Sequence, residues 1–279
     1  MKPLAEIEHA HIERDGIRIA YWDIGEGPPL LMITGLGTPA ESWNILPSVF
    51  ASQGYRAIVV DNRDCGNSSP CDGIDYDISD MAEDAVAVLD RVGVDRTYLL
   101  GISMGGMIAQ ELVLNHPERV EKLVLIATGP GQPAAVPPDA EVLSEMFGSR
   151  TGDPLSDLAS FLGKLMGPTF AEHNAGLIKA MAKVRMEKGS DSASFARQWA
   201  AISRFAAWER LETLNMPTLV IHGNVDPLVP FENGKRISSR IPGAELVELE
   251  GVGHFVPLEA PAETVQAINR FLPVHAVSR

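Results

Sequence analysis

The sequence predicts an α/β domain in which a mostly parallel central sheet is flanked by helices and interrupted once by an all-helical segment. Three observations carry this. Short, nearly continuous apolar runs that end in glycine, such as "PLLMITGLG" and "RTYLLGIS", suit strands buried on both faces, as parallel sheets require. Helical periodicities lie between those runs. No strand pattern occurs from about Pro130 to Asn215, where only amphipathic helices are legible.

Taken in order, "AEIEHAHIERDGIRIAYWDIG" alternates in apolarity around Asp15-Gly16 and predicts a hairpin. The "PLLMI" strand is followed by a helix over Pro39 to Gln53, and "YRAIVVD" by a helix over Ile78 to Val92. In the latter, Met81, Ala85, Val88, Leu89 and Val92 recur at helical spacing. "RTYLLGIS" leads into a helix from Met104 to Asn115, and "VEKLVLIATG" follows. Beyond the helical segment come "PTLVIHGN", a helix over Phe231 to Arg240, "AELVELEG" and a helix over Pro261 to Leu272. Such alternation implies right-handed crossovers in one sheet. The Gly- and Pro-rich "TGPGQPAAVPPD" reads as the linker into "DPLSDLASFLGKLMG", "FAEHNAGLIKAMAKVRMEKG" and "SDSASFARQWAAISRFAAWERL". Residues 1–129 and 216–279 are therefore expected to form the core domain, and 130–215 a helical subdomain.

Composition narrows the functional classes. The chain has 279 residues, 45% of them hydrophobic, enough for a large core plus a subdomain. A net charge of -14 argues against nucleic acid, because phosphates repel an acidic surface. No apolar run is long enough to span a bilayer, and "MKPLAEIEHAH" lacks the apolar stretch of a signal peptide, so a cytoplasmic location is expected. Cys65 and Cys71 are then expected as free thiols. His9 and His11 have an H-x-H spacing, but nothing completes a metal site around them, and they read as exposed edge residues.

The chemistry centres on Gly101-Ile102-Ser103-Met104-Gly105, a G-x-S-x-G set between a strand and a helix. Such a turn strains the backbone, and its glycines leave room for the neighbouring strand and helix. It holds the Ser103 hydroxyl at the carboxyl edge of the sheet beside a helix N-terminus. A serine hydroxyl needs a base, and the base needs an orienting acid. Of seven histidines, His254 is the best placed, on the glycine-bearing loop "LEGVGHFVPLEAP" after the last strand. His116 reads as a helix cap, His222 as a packed strand-end residue, His173 as part of the helical segment and His275 as part of the C-terminal tail. Asp226, in a turn after "TLVIHG", supplies the acid. The order Ser103, Asp226, His254 suits the fold, whereas Asp61 and Asp64 precede the serine and fit it badly.

In "GISMGG", "HGNVDPLVP", "GVGHFVPLEAP" and the insertion between the sixth and seventh strands, the chain resembles the α/β-hydrolase superfamily over nearly its whole length. It is most similar to the esterase and lactonase branch: enol-lactone hydrolases, anthracycline methylesterases and esterases that open acyl-homoserine lactones. The resemblance implies that residues 130–215 are the cap, that Ser103 is the nucleophile, that His254 is general base and acid, and that Asp226 is its partner. The "VVDNRDCGNSS" stretch is similar to those branches and is expected to brace the active-site loop. The family's usual His-Gly after the third strand is Thr34-Gly35 here. The oxyanion donors implied are the backbone N–H groups of Leu36 and Met104, which need no histidine, with the Thr34 hydroxyl as the substitute brace. Trp43, Met107, Val229, Phe255, Phe147 and Trp199 are candidate substrate-binding residues, together with Phe161, Leu165, Met166, Met181 and Phe205.

The activity expected is hydrolysis of carboxylic esters or lactones, acyl-homoserine lactones among them, through an acyl-enzyme on Ser103, with no metal and no cofactor. The partner is a small-molecule ester or lactone; nucleic acid and membrane are not expected, and nothing in the sequence indicates an oligomeric state. Hydrolysis of a C–C bond, or cofactor-free perhydrolysis, would use the same triad. A non-catalytic ligand receptor on the same fold is the third reading.

Overall fold

The structure, a computed structural model, describes residues 1–148 and 152–273. One sheet of eight strands runs through the core in the order β1-β2-β4-β3-β5-β6-β7-β8. The strands are β1 (Ala10–Arg14), β2 (Ile17–Ile24), β3 (Pro29–Ile33), β4 (Arg56–Val60), β5 (Thr97–Ile102), β6 (Val120–Ile126), β7 (Thr218–Gly223) and β8 (Glu245–Leu249). β1 and β2 form the antiparallel hairpin, and β2 joins β4 antiparallel; every pairing from β4 to β8 is parallel. Asp15 and Gly16 both have positive φ, 53° and 76°, as a tight hairpin turn demands.

Helices cover both faces. α2 (Ile78–Arg91), α3 (Met104–Asn115) and α9 (Glu232–Arg240) pack on one; α1 (Leu46–Ser52) and α11 (Pro261–Phe271) pack on the other. Each face has its own apolar cluster. One is built around Ile33, Ile58, Leu99, Ile108 and Val220, the other around Trp22, Met32, Phe50, Leu100 and Ile221. Alternate residues of the same strands feed both clusters, so the strands show continuous apolar runs. β3 is the clearest case, with Leu31 and Ile33 on one side and Leu30 and Met32 on the other.

Among the described residues, five α-helices lie between β6 and β7: α4 (Ala140–Phe147), α5 (Pro154–Lys164), α6 (Pro168–His173), α7 (Ala175–Lys188) and α8 (Ser192–Arg204). α4 to α7 enclose a third apolar cluster that includes Phe161, Leu162, Leu165 and Met166, whereas Ala201 of α8 packs into the cluster on the α3 face of the sheet. The α4 helix has no counterpart among the sequence expectations. The single stretch expected over 170–189 is two helices, broken at Asn174, whose backbone leaves the helical region at φ -124°. The helix expected over Pro39 to Gln53 is likewise two pieces. A 3₁₀ turn at Ala40–Trp43 is separated from α1 by Asn44 at φ 52°, ψ -115°. Among the described residues no helix is long and apolar enough to cross a membrane. Cys65 and Cys71 are buried and unpaired.

Candidate active site

The carboxyl ends of the parallel strands gather the chemistry. Ser103 follows β5 directly as the N-cap of α3, with φ 57° and ψ -122°. An L-residue is costly in that region and persists only where its surroundings hold it. Here the Ser103 N–H donates to the Ile126 carbonyl at 2.9 Å, and its carbonyl accepts from the Thr128 hydroxyl at 2.7 Å. The neighbouring glycines have a steric cause. A Cβ on Gly101 would lie 2.2 Å from the Gly105 carbonyl oxygen, and one on Gly105 would lie 2.2 Å from that of Ile33. The turn can therefore form only where strand and helix meet backbone to backbone.

Asp226 and His254 arrive from the loops after β7 and β8. His254 Nε2 lies 3.1 Å from Ser103 Oγ, and its Nδ1 lies 2.7 Å from Asp226 Oδ2. The second Asp226 oxygen accepts the N–H groups of Leu228 and Val229, each at 2.9 Å. Burial pushes the Asp226 carboxyl up, but the hydrogen-bonded His254 imidazole and the nearby His222 imidazole outweigh it, leaving the group below the ordinary carboxylate value. His222 is fully buried, with Nε2 2.7 Å from the Val229 carbonyl and 3.6 Å from Asp226. It packs behind the acid and does not reach the serine.

Glu259, on the short α10 (Val256–Glu259), holds the histidine loop from below. Its carboxylate accepts N–H groups from Gly253 at 2.8 Å and Phe255 at 3.0 Å, on either side of His254, and from Gly167 at 2.7 Å on the inserted segment. The His254 N–H itself donates to the Leu165 carbonyl at 2.7 Å. The inserted segment is thus bonded to the loop that carries His254.

The loop after β3 lies against the serine, since a Cβ on Gly35 would come 3.1 Å from Ser103 Cβ. Thr34 donates its hydroxyl to the Thr38 carbonyl at 2.9 Å, and Asn62 donates to the Thr34 carbonyl at 3.0 Å, so Thr34 does tie this loop. Met104 N–H opens α3 and has no intrahelical acceptor. The "DNRDCG" stretch binds several segments together. Asp61 accepts from the N–H groups of Ala40 at 2.6 Å and Asn67 at 2.7 Å. Arg63 pairs with Asp84, and Asp64 accepts from Arg197 on α8 at 2.6 Å and 2.8 Å. Asp61 and Asp64 are spent on these bonds, and the carboxylate that meets His254 is that of Asp226.

The candidate substrate residues divide. Phe255 is half-buried, its ring centroid 5.6 Å from that of His254, and it packs on the apolar cluster of the inserted helices with Phe161, Leu165 and Met166. Met107 is half-buried, on the side of the sheet where Leu36 packs. Val229 is half-buried and bonded to Asp226. Phe147 is 52% exposed and meets the half-buried Trp199 edge-on at 5.0 Å and Phe195 at 6.3 Å, and the Phe195 ring lies against Gly37 of the loop after β3. Trp43 is buried in the cluster on the α1 face and Phe205 in the cluster on the α3 face. His9 and His11 are exposed, His116 caps α3 and reaches Glu83 at 2.6 Å, His173 bonds its own helix, and His275 lies outside the described residues. Among the described residues no three His, Cys, Asp or Glu side chains form a metal-ligand group.

Sequence reasoning did not single out Glu259, Gln198 or Arg185, all of which touch the catalytic loops. Gln198 carried a signal: with Ser194 and Ala201 it falls on the buried stripe of α8, a long polar side chain where an apolar one is expected.

The alpha/beta hydrolase fold family model matches residues 28–261. A 2-hydroxy-6-oxononadienedioate/2-hydroxy-6-oxononatrienedioate hydrolase of Paraburkholderia phymatum is 31% identical, the match covering 92% of this chain and 91% of that protein. Rhodomycin D methylesterase DauP of Streptomyces sp. strain C5 is 30% identical, covering 90% and 94%. Among solved structures, Est816, described as an N-acyl homoserine lactone degrading enzyme, superposes with a TM-score of 0.79 at 29% identity, covering 94% of this chain and 100% of that one.

Proposed function

This chain belongs to the alpha/beta hydrolase fold family, and on that premise we propose that it is a serine hydrolase of carboxylic esters and lactones. One observation carries the reading: a continuous relay from Asp226 through His254 to Ser103, with steps of 2.7 Å and 3.1 Å, ending on a serine held at φ 57°. Ser103 Oγ attacks the carbonyl carbon while His254 Nε2 takes its proton. The oxyanion is received by the N–H groups of Leu36 and Met104. Collapse breaks the C–O bond, and His254 returns the proton to the departing alkoxide. Water, activated by the same nitrogen, then releases the acid. A lactone follows the same path, its alkoxide remaining on the acyl chain, so the product is a hydroxy acid.

Residues 130–215 serve in this reading as the cap. Their apolar cluster continues to Phe255 beside His254 and offers an acyl tail an apolar wall. The net charge of -14 favours neutral esters and lactones over substrates that already carry a carboxylate, and it favours expulsion of the acid formed. The methylesterase and the lactone-degrading neighbour support the ester and lactone readings respectively. C–C hydrolysis is the second reading, favoured by the 31% identical relative from Paraburkholderia. A panel of p-nitrophenyl esters, acyl-homoserine lactones and a vinylogous diketone acid, followed by chromophore or proton release, decides. Ester or lactone turnover with the diketone untouched is expected; the reverse order of rates would replace the first reading by the second.

A further inference from the structure

The loop that carries Leu36 is held by the inserted helices. Gly37 N–H donates to Gln198 Oε1 at 2.7 Å, and Gln198 Nε2 donates to the Arg63 carbonyl at 2.8 Å. Gln198 is completely buried on α8, so both ends of its amide are committed away from water. On the other side of the same peptide, the Leu36 carbonyl accepts from Arg185 on α7 at 2.8 Å and from the Thr38 hydroxyl at 3.1 Å. The Gly35 carbonyl accepts from Thr38 N–H at 3.2 Å. Both peptide planes that flank Leu36 are thereby pinned, and the direction of its N–H follows from them.

Within the loop Thr38 bonds the Gly35 and Leu36 carbonyls, whereas the Gly37 N–H is held from outside, by Gln198. Gly37 sits at φ 59°, in the region glycine visits freely, and Gly35 and Gly37 have no side chains of their own to pack. We infer that Gln198 is a positioning residue: it sets the Leu36 N–H toward the oxyanion and makes the oxyanion hole depend on the seating of α8. This rests on the serine-hydrolase reading. A buried glutamine is costly unless both its groups are bonded. Here its bonds join three segments far apart in sequence: the loop after β3, the loop after β4 and α8.

The test is Gln198→Met, which keeps length and bulk and removes both bonds, compared with Ser194→Ala. Ser194 lies one turn earlier on α8 and bonds Asp64 at 3.1 Å, not the Leu36 loop. Three quantities are read with p-nitrophenyl butanoate as substrate: kcat, KM and the inhibition constant of a trifluoromethyl ketone of the same chain length. That ketone accepts Ser103 Oγ at its carbonyl carbon, the serine proton passes to His254, and the carbonyl oxygen becomes an oxyanion in the hole. A misplaced donor should lower kcat roughly 10- to 100-fold and weaken the ketone by a similar factor, with KM within about threefold of wild type. Ser194→Ala should stay close to wild type in all three. If Gln198→Met does not fold, Gln198→Asn serves: it is polar but one methylene shorter, and its amide oxygen cannot reach Gly37, so the same losses are expected. A kcat within about twofold of wild type, or an equal loss in Ser194→Ala, overturns the inference. Wild-type protein is also treated with a fluorophosphonate. An adduct on Ser103 leaves the serine-hydrolase reading standing whatever Gln198 does, whereas its absence overturns that reading and this inference with it.

Discussion

Asp226 holds His254 through one carboxylate oxygen only, Oδ2 at 2.7 Å from Nδ1, because its Oδ1 is occupied by the N–H groups of Leu228 and Val229. The acid is therefore fixed by its own turn as well as by the histidine. It presents a lone pair that accepts the Nδ1 proton and leaves Nε2 free to accept the Ser103 proton. Asp226→Asn keeps the shape and the turn, but its amide can face the histidine with a donor and favour the wrong tautomer. By analogy with other triads kcat should fall about 10⁴-fold with little change in KM. Steady-state kinetics on p-nitrophenyl butanoate check this, and a loss below about tenfold would remove Asp226 from the relay.

Glu259 should behave as a structural clamp on the base. Glu259→Ala leaves the N–H groups of Gly167, Gly253 and Phe255 without their acceptor, at about 1–3 kcal/mol for each that stays dry. Thermal unfolding should show a fall of several degrees, with kcat reduced because His254 lies between two of those groups. An unchanged melting temperature and kcat would show that the clamp carries no weight.

Asp61 gives a pH-dependent stability term. Burial raises its carboxyl to about 6, against hydrogen bonds from Ala40 and Asn67 that lower it. A folded-state value above the unfolded one means that its contribution is fully present below the unfolded value, near 3.8, and is lost as pH rises through about 6. Asp61→Asn lacks this titration. Relative to wild type, the variant should gain as pH goes from 4 to 7, by at most about 3 kcal/mol. Urea midpoints at four pH values across that range test the sign; a variant that loses ground would contradict it.

Acyl chain length should tune the rate. If the tail lies on Phe255 and the apolar cluster above it, each methylene adds roughly 0.8 kcal/mol until the space is filled. The value of kcat/KM should rise from acetate toward butanoate or hexanoate and then fall. A strict preference for acetate would exclude an apolar tail site there.

What could be read from the sequence was local. The serine turn announces itself because Gly101, Ser103 and Gly105 must lie within five residues of one another for strand and helix to meet. The triad order follows from strand order, since Asp226 and His254 each sit on the loop after a strand. The breaks at Asn44 and Asn174 were not legible, because apolar spacing continues across both while the backbone does not. Gln198 was visible only as a polar residue on a buried stripe. Its partners Gly37 and Arg63 are more than 130 residues away, and no periodicity names them.

The central claim is that Ser103 is the nucleophile, and the most direct measurement is the activity of purified Ser103→Ala on p-nitrophenyl butanoate. The expected result is a fall in kcat of about 10⁶-fold, by analogy with other triads, in a protein that melts like wild type. Retention of more than a few percent of wild-type turnover by the folded variant would place the nucleophile elsewhere.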